Sequence, residues 1–216
     1  MKSSRIKACI AAGVLTASFI SGSIVNAVET TSAAASYDMD ITVNLAGEKK
    51  EISPYIYGVN DYGNSDNYRN VTVNALRQGG NRYTGYNWET NYSNAGEDWH
   101  NSSDTNIGDD TDGAGAAVRK FSKRSSDYNI PYKMTTLQMA GYVSADKAGS
   151  VSDTEKAPSS RWNEVKFRKD GELSLTPDLT DNAVYMDEYV NFIVKTLGDS
   201  NTSTGMQGYS LDNEPV

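Results

Sequence analysis

The sequence predicts an α/β fold built on a parallel sheet, and three observations predict it. Apolar alternating runs and amphipathic runs follow one another as strand, strand, helix, strand, helix, strand, the order that βαβ units impose. The long polar excursions come after strand ends, at Gly79-Gly80 and at Ala140-Gly141, and the last strand also ends on polar residues, Asp212-Asn213. The clearest helical run, Asp181 to Leu197, sits directly before the last strand. Polar residues gathered at C-terminal strand edges are what a (β/α)-type barrel displays. Four parallel strands do not close such a barrel, so the expectation is the first half of one.

The chain before that sheet reads differently. Lys2, Arg5 and Lys7 precede an apolar run from Ala8 to Ile20, and Val25-Asn26-Ala27 offers small residues for cleavage. The run is shorter than the ~20 residues that span a bilayer, so residues 1–27 are expected to be a secretory signal and the protein extracellular. Residues 28–36 read as a linker, with three consecutive alanines. The signal carries three basic residues and no acidic ones, so its removal takes the formal net charge from −8 to −11. Such a surface disfavours nucleic acid and anionic membranes as partners. Cys9, the only cysteine, leaves with the signal, and His100 is the only histidine, which excludes disulfides and a multi-histidine catalytic metal centre.

In order, Asp40 to Leu45 alternates as a half-buried strand, and Tyr55 to Asn60 is a short apolar strand ending on a polar residue. Val73 to Gln78 is the next strand, with Arg77 in it and two glycines closing it. Tyr83 to Asp112 is long and irregular, yet Tyr86, Trp88, Tyr92 and Trp99 argue for a structured binding loop. Gly115 to Tyr128 is helical through Ala117, Val118 and Phe121. Tyr132 to Met139 is the third barrel strand. Trp162 to Phe167, Asp170-Gly171 and Leu173 to Leu175 read as a β-hairpin. Asp181 to Leu197 is a helix closed by Gly198, and Tyr209 to Leu211 is the last strand.

That strand is broken by Asp212-Asn213-Glu214-Pro215, because Pro215 lacks an N–H and biases Glu214 to extended backbone. Glu214 reads either as a solvated turn residue or as a general acid at a cleft base. Asn213 could bond a sugar hydroxyl, and Arg77 either grips a carboxylate or forms an ordinary ion pair. Trp88 and Trp99 either stack on sugar rings or plug the loop's own core. Gly113-Ala114-Gly115 fails as a dinucleotide fingerprint, since Val118 stands at the third glycine position. Asp109 to Gly113 fails in EF-hand register; a looser structural calcium site is left open beside a plain solvated acidic loop.

The runs ISPYIYGVN (Ile52 to Asn60), GGNRYTGYNWE (Gly79 to Glu89), SNAGEDW (Ser93 to Trp99), TLQMAGYV (Thr136 to Val143), SLTPDLTDNAVYMDEYVN (Ser174 to Asn191) and GYSLDNEP (Gly208 to Pro215) together resemble glycoside hydrolase family 44, from about Tyr37 onward. The resemblance implies a (β/α)8 barrel, of which 55–216 form about the first half, and a small β-sandwich to which 37–54 contribute. It implies an enzyme that hydrolyses β-1,4-glucans, including xyloglucan, with retention; the protein is expected to be a monomer and to need no cofactor for the chemistry. It places the acid/base on Glu214, with Asn213 and, more weakly, Arg77 in support. Asn60, Tyr86, Trp88 and Trp99 are the expected substrate contacts. The family's nucleophile has no counterpart in these residues. Two other classes stand beside this one: a non-catalytic carbohydrate-binding protein using the aromatic residues, and a calcium-dependent surface module.

Overall fold

The computed structural model describes residues 39–44, 46–61, 63, 68 and 72–213. The signal, the linker and Glu214 lie outside the described residues. The chain divides into two units, 1–48 and 49–216. In the first, residues 39–44 are exposed and carry no regular structure. The strand expected over Asp40 to Leu45 is therefore not formed there, and Leu45 lies outside the described residues. Alternation of Ile41 and Val43 makes a strand only against a hydrogen-bonding partner, and among the described residues none pairs with this segment.

The second unit opens with a single 3-10 turn at Pro54–Ile56, where the Ser53 hydroxyl accepts the Tyr55 N–H at 3.3 Å. Pro54 fixes its own φ and starts the turn, so the strand expected from Tyr55 shortens to β1, Gly58–Asn60. There follow β2 (Ala75–Gln78), α1 (Asn81–Thr84), β3 (Ser93–Asn94), β4 (Ser102–Asp104) and α2 (Ala116–Asp127). Next come β5 (Tyr132–Leu137), β6 (Tyr142–Ser144), β7 (Gly149–Ser150) and β8 (Trp162–Lys166). The chain ends on β9 (Ala183–Tyr185), α3 (Met186–Leu197) and β10 (Gly208–Leu211).

The principal sheet is four-stranded, in the order β1-β2-β5-β10, with every neighbour parallel. Asn60 pairs with Arg77, Arg77 with Met134, and Met134 with Gly208, so the register crosses all four strands. One face buries Leu76, Gln78 and Thr135 towards α2; Gln78 Nε2 donates to the Ala117 carbonyl at 2.9 Å, and Thr135 Oγ1 donates to Gln78 Oε1 at 2.8 Å. Ala75, Arg77, Tyr132 and Met134 line the other side, bordering a cavity of about 420 Å³. The core joins Val118 and Phe121 of α2 to Tyr189, Phe192 and Ile193 of α3. Gly115 lets α2 and α3 meet: its φ is +63°, and a Cβ there would lie 2.3 Å from the Phe192 ring.

Two small sheets fill the excursions, β3-β4-β7 and β6-β8-β9. They correct two expectations. No hairpin returns over Leu173 to Leu175; both leucines are exposed, and β8 pairs instead with β6 (antiparallel) and β9 (parallel). The reason is a competing acceptor: Lys169 N–H donates to the Asp187 carboxylate and Ser174 N–H to Glu188 Oε1, at 3.0 and 2.7 Å. Those donors are then lost to a ladder. The helix expected from Asp181 begins only at Met186, because Ala183, Val184 and Tyr185 are taken by β8 as a strand, as β-branched and aromatic residues favour. Asp187 and Glu188 then supply the acidic first turn.

Candidate active site at the strand ends

The sheet's parallel register carries Asn60 and Arg77 to neighbouring positions, and the exit of β10 adds Asn213. Arg77 Nη1 donates to Asn60 Oδ1 at 3.2 Å, and Nη2 donates to the Asn213 carbonyl at 3.0 Å and to Asn213 Oδ1 at 2.7 Å. The Gly80 N–H donates to the same Oδ1 at 2.8 Å. Both acceptor positions of that oxygen are filled, so the Asn213 amide presents its Nδ2 end, which makes one long contact of 3.4 Å to Asn81 Oδ1. Gly79 leaves room for this arrangement: a Cβ there would lie 2.5 Å from the Arg77 guanidinium carbon. Three residues singled out from the sequence, Asn60, Arg77 and Asn213, are thus one hydrogen-bonded group.

Beside that group lies a cleft of about 470 Å³ lined by Gly79, Gly80, Asn81, Asp98 and Trp99 among others. Asn81, at the start of α1, donates to Asp98, which fixes the 3-10 turn Gly96–Trp99 against the strand end. Trp99 is 65% exposed, and among the described residues its ring contact is an edge contact to His100 at 5.2 Å between centroids. Asp61 and Arg124 also border the cleft and are ion-paired with each other.

Tyr86 and Trp88 are placed elsewhere. Both are fully buried. Trp88 stacks on Tyr189 at 5.2 Å and 14°, and tilts against Phe192 at 5.2 Å. Tyr86 donates to Asn91 Oδ1 at 2.8 Å, and burial pushes its hydroxyl pKa up. Neither ring has a face open to a sugar, which corrects the expectation that both contact substrate. Their segment is folded inward because Asn91, at φ +65°, accepts from Tyr86 and Ala116 and donates to the Asp109 and Gly113 carbonyls. Next to Trp88, burial and the nearby Asp181 and Glu188 push the Glu89 carboxyl up to about 8, with Lys169 opposing.

The acidic loop is held by cations of the chain itself. Lys120 pairs with Asp112 at 2.8 Å, and Lys147 with Asp109 and Asp110 at 3.4 and 3.3 Å. Asp109 and Asp112 further form a capping box across Asp110–Asp112. Among the described residues, no group of three or more His, Cys, Asp or Glu side chains is placed to hold a metal ion. Among the same residues, no helix is long and apolar enough to cross a membrane.

Asn81, Thr84, Asp98 and Asp212 also belong to this site without being marked as functional in the sequence. Asp212 had one legible signal, its place directly before Asn213-Glu214-Pro215; the other three are identified only by their contacts.

A parallel sheet whose strand ends collect amides, a guanidinium and an exposed tryptophan beside a cleft defines an α/β protein with a polar-ligand site at the strand C-termini. The model of glycoside hydrolase family 44 matches residues 92–216. Over 184 residues the chain is 50% identical to a beta-mannanase/endoglucanase A of Caldicellulosiruptor saccharolyticus, covering 82% of this chain and 13% of that protein. Over 191 residues it is 49% identical to endoglucanase A of Paenibacillus lautus, covering 85% of this chain and 26% of that one. The solved structure of a Paenibacillus polymyxa xyloglucanase superposes with a TM-score of 0.70 at 47% identity, covering 77% of this chain and 33% of its own. The chain belongs to glycoside hydrolase family 44, and it spans about a quarter or less of the length of these two curated relatives.

Proposed function

We propose that these residues are part of a secreted glycoside hydrolase that cleaves internal β-1,4-glucosidic bonds of cellulose-like glucans and xyloglucan with retention. The observation that carries the reading is Asn213: its Oδ1 is pinned by Arg77 and Gly80 at the strand ends, directly before Glu214 in the chain. The family membership and the glucan-cleaving relatives support the substrate class. Glu214 is the proposed acid/base. It would protonate the leaving glycosidic oxygen as a glycosyl-enzyme forms, then take a proton from the water that releases the sugar. The Nδ2 end of Asn213 would donate to a sugar hydroxyl, and Trp99 would stack on a ring along the cleft.

A retaining enzyme needs a second carboxylate about 5–5.5 Å from the first. We place that nucleophile on sequence outside these 216 residues, and the four-stranded sheet within a (β/α)8 barrel, readings that the greater length of the relatives supports. Two carboxylates suffice, so the chemistry requires no cofactor. The basic and apolar segment from Lys2 to Ile20 supports export.

The test is Glu214→Ala in the full-length enzyme. Activity on carboxymethyl cellulose should fall by roughly 10²–10⁴-fold, the value of general acid–base catalysis. Dinitrophenyl cellobioside, whose leaving group hardly needs an acid, should keep much of its glycosylation rate. Azide should restore turnover and give the β-glycosyl azide. Equal loss on both substrates without azide rescue removes Glu214 from the acid/base role.

A further inference from the structure

Asp212 is the residue at which β10 leaves the sheet, and every polar group it has is engaged. Its N–H donates to the Leu137 carbonyl at 2.8 Å, and its own carbonyl accepts from Ser210 Oγ at 2.7 Å. Of its carboxylate, Oδ1 accepts from Thr84 Oγ1 at 2.7 Å and from the Asn213 N–H at 2.6 Å, while Oδ2 accepts from the Met139 N–H at 3.0 Å. The residue is 6% exposed and sits at φ +62°, a left-handed conformation that Asp and Asn adopt most readily after glycine. One carboxylate therefore ties together α1, the exit of β5 and the residue that follows it. All three of its donors are neutral, so it does not serve to neutralise a cation. It fixes where the chain goes next.

What goes next is Asn213. Its backbone is held by Asp212 and its side chain by Arg77 and Gly80, so the β10 exit is tied to α1 and the β5 exit through Asp212 and to the end of β2 through Asn213. We propose that Asp212 is a positioning residue for glycoside hydrolysis, orienting Asn213 and the chain running on to Glu214, so that it governs the proton-donating step. This rests on the hydrolase reading above. A displacement of about 1 Å at such a site costs on the order of 10²-fold in rate, whereas affinity along the rest of the glucan does not depend on it.

The discriminating variant is Asp212→Asn in the full-length enzyme. Asparagine keeps the shape and tolerates the left-handed backbone, but it turns an amide N–H₂ towards one of the three donors. Thr84→Val removes one donor and leaves the carboxylate in place. The expected result for Asp212→Asn is a fall in kcat/KM on cello-oligosaccharides of ~10–100-fold with KM little changed, against less than ~3-fold on dinitrophenyl cellobioside. Thr84→Val should show the same selectivity at smaller amplitude. A merely structural aspartate would lower both substrates together along with the melting temperature, and that outcome overturns the proposal, as does an unchanged ratio. Should Asp212→Asn fail to fold, the substrate ratio of Thr84→Val decides alone, by the same criterion. Wild-type enzyme inactive on both substrates, or Glu214→Ala unaffected on the oligosaccharide, overturns the hydrolase reading itself and this proposal with it.

Discussion

Trp88 and Trp99 belong to the same excursion between β2 and α2, and the structure gives them opposite surroundings. Trp88 lies in a segment whose polar side chains turn inward: Asn91 joins four partners, and the ring is packed between Tyr189 and Phe192 of α3. Trp99 lies on a turn tied down through Asp98 to Asn81 and through the Gly96 N–H to Asn94 Oδ1, and its ring is open to the cleft. A tryptophan in a Gly- and Asn-rich stretch has equal apolar area in either setting. What separates core from ligand platform is whether a helix face arrives to cover it, and here α3 covers one and nothing among the described residues covers the other.

Trp88→Ala should destabilise the protein by ~3–5 kcal/mol, the range for a fully buried aromatic side chain replaced by alanine. Denaturant unfolding measures it. A change below 1 kcal/mol with weakened glucan binding would return Trp88 to the ligand side.

Its neighbour Glu89 gives the next largest effect, through pH. The folded-state pKa, about 8, lies above the ordinary carboxylate value of 4.5, so the folded protein binds more protons than the unfolded chain between those values. The contribution is fully present below about pH 4.5, declines as pH rises, and is gone above about pH 8, a change on the order of a few kcal/mol. Glu89→Gln should flatten that slope. Urea midpoints at pH 5.5 and 8.5 for both proteins test it, and equal slopes would remove Glu89 as the cause.

The smallest effect is expected at Trp99. Trp99→Ala should weaken glucan binding by ~1–3 kcal/mol while leaving stability within ~0.5 kcal/mol. His100→Asn, which suits the φ of +55° at that position, should change neither by more than ~0.5 kcal/mol. Calorimetric titration with a cello-oligosaccharide reads both. Loss of binding in His100→Asn equal to that in Trp99→Ala would assign the effect to the turn rather than to the ring.

Much of the frame was legible because it rests on local chemistry. The periodicity of Ala117, Val118 and Phe121 and of Tyr189, Ile193 and Leu197 carries the same burial pattern wherever the helix is placed, and α2 and α3 appear close to where it puts them. The strands at Ala75–Gln78, Tyr132–Leu137 and Gly208–Leu211 follow from apolar runs ended by glycine or by polar residues. Arg77, Asn60 and Asn213 were legible as polar residues at or near strand ends, though not as partners of one another. Tertiary structure alone decided the rest. Whether Ala183 to Tyr185 is helix or strand depends on β8 being there to pair with it. Leu173 and Leu175 alternate as a strand would, yet the carboxylates of α3 claim the Lys169 N–H before the turn and the Ser174 N–H between the two leucines. Asp212 shows the limit most plainly, since two of its three donors come from Thr84 and Met139, 128 and 73 residues earlier in the chain. A hydrogen bond across that much chain leaves no periodicity to read, because its energy depends on a distance that exists only once the sheet has formed.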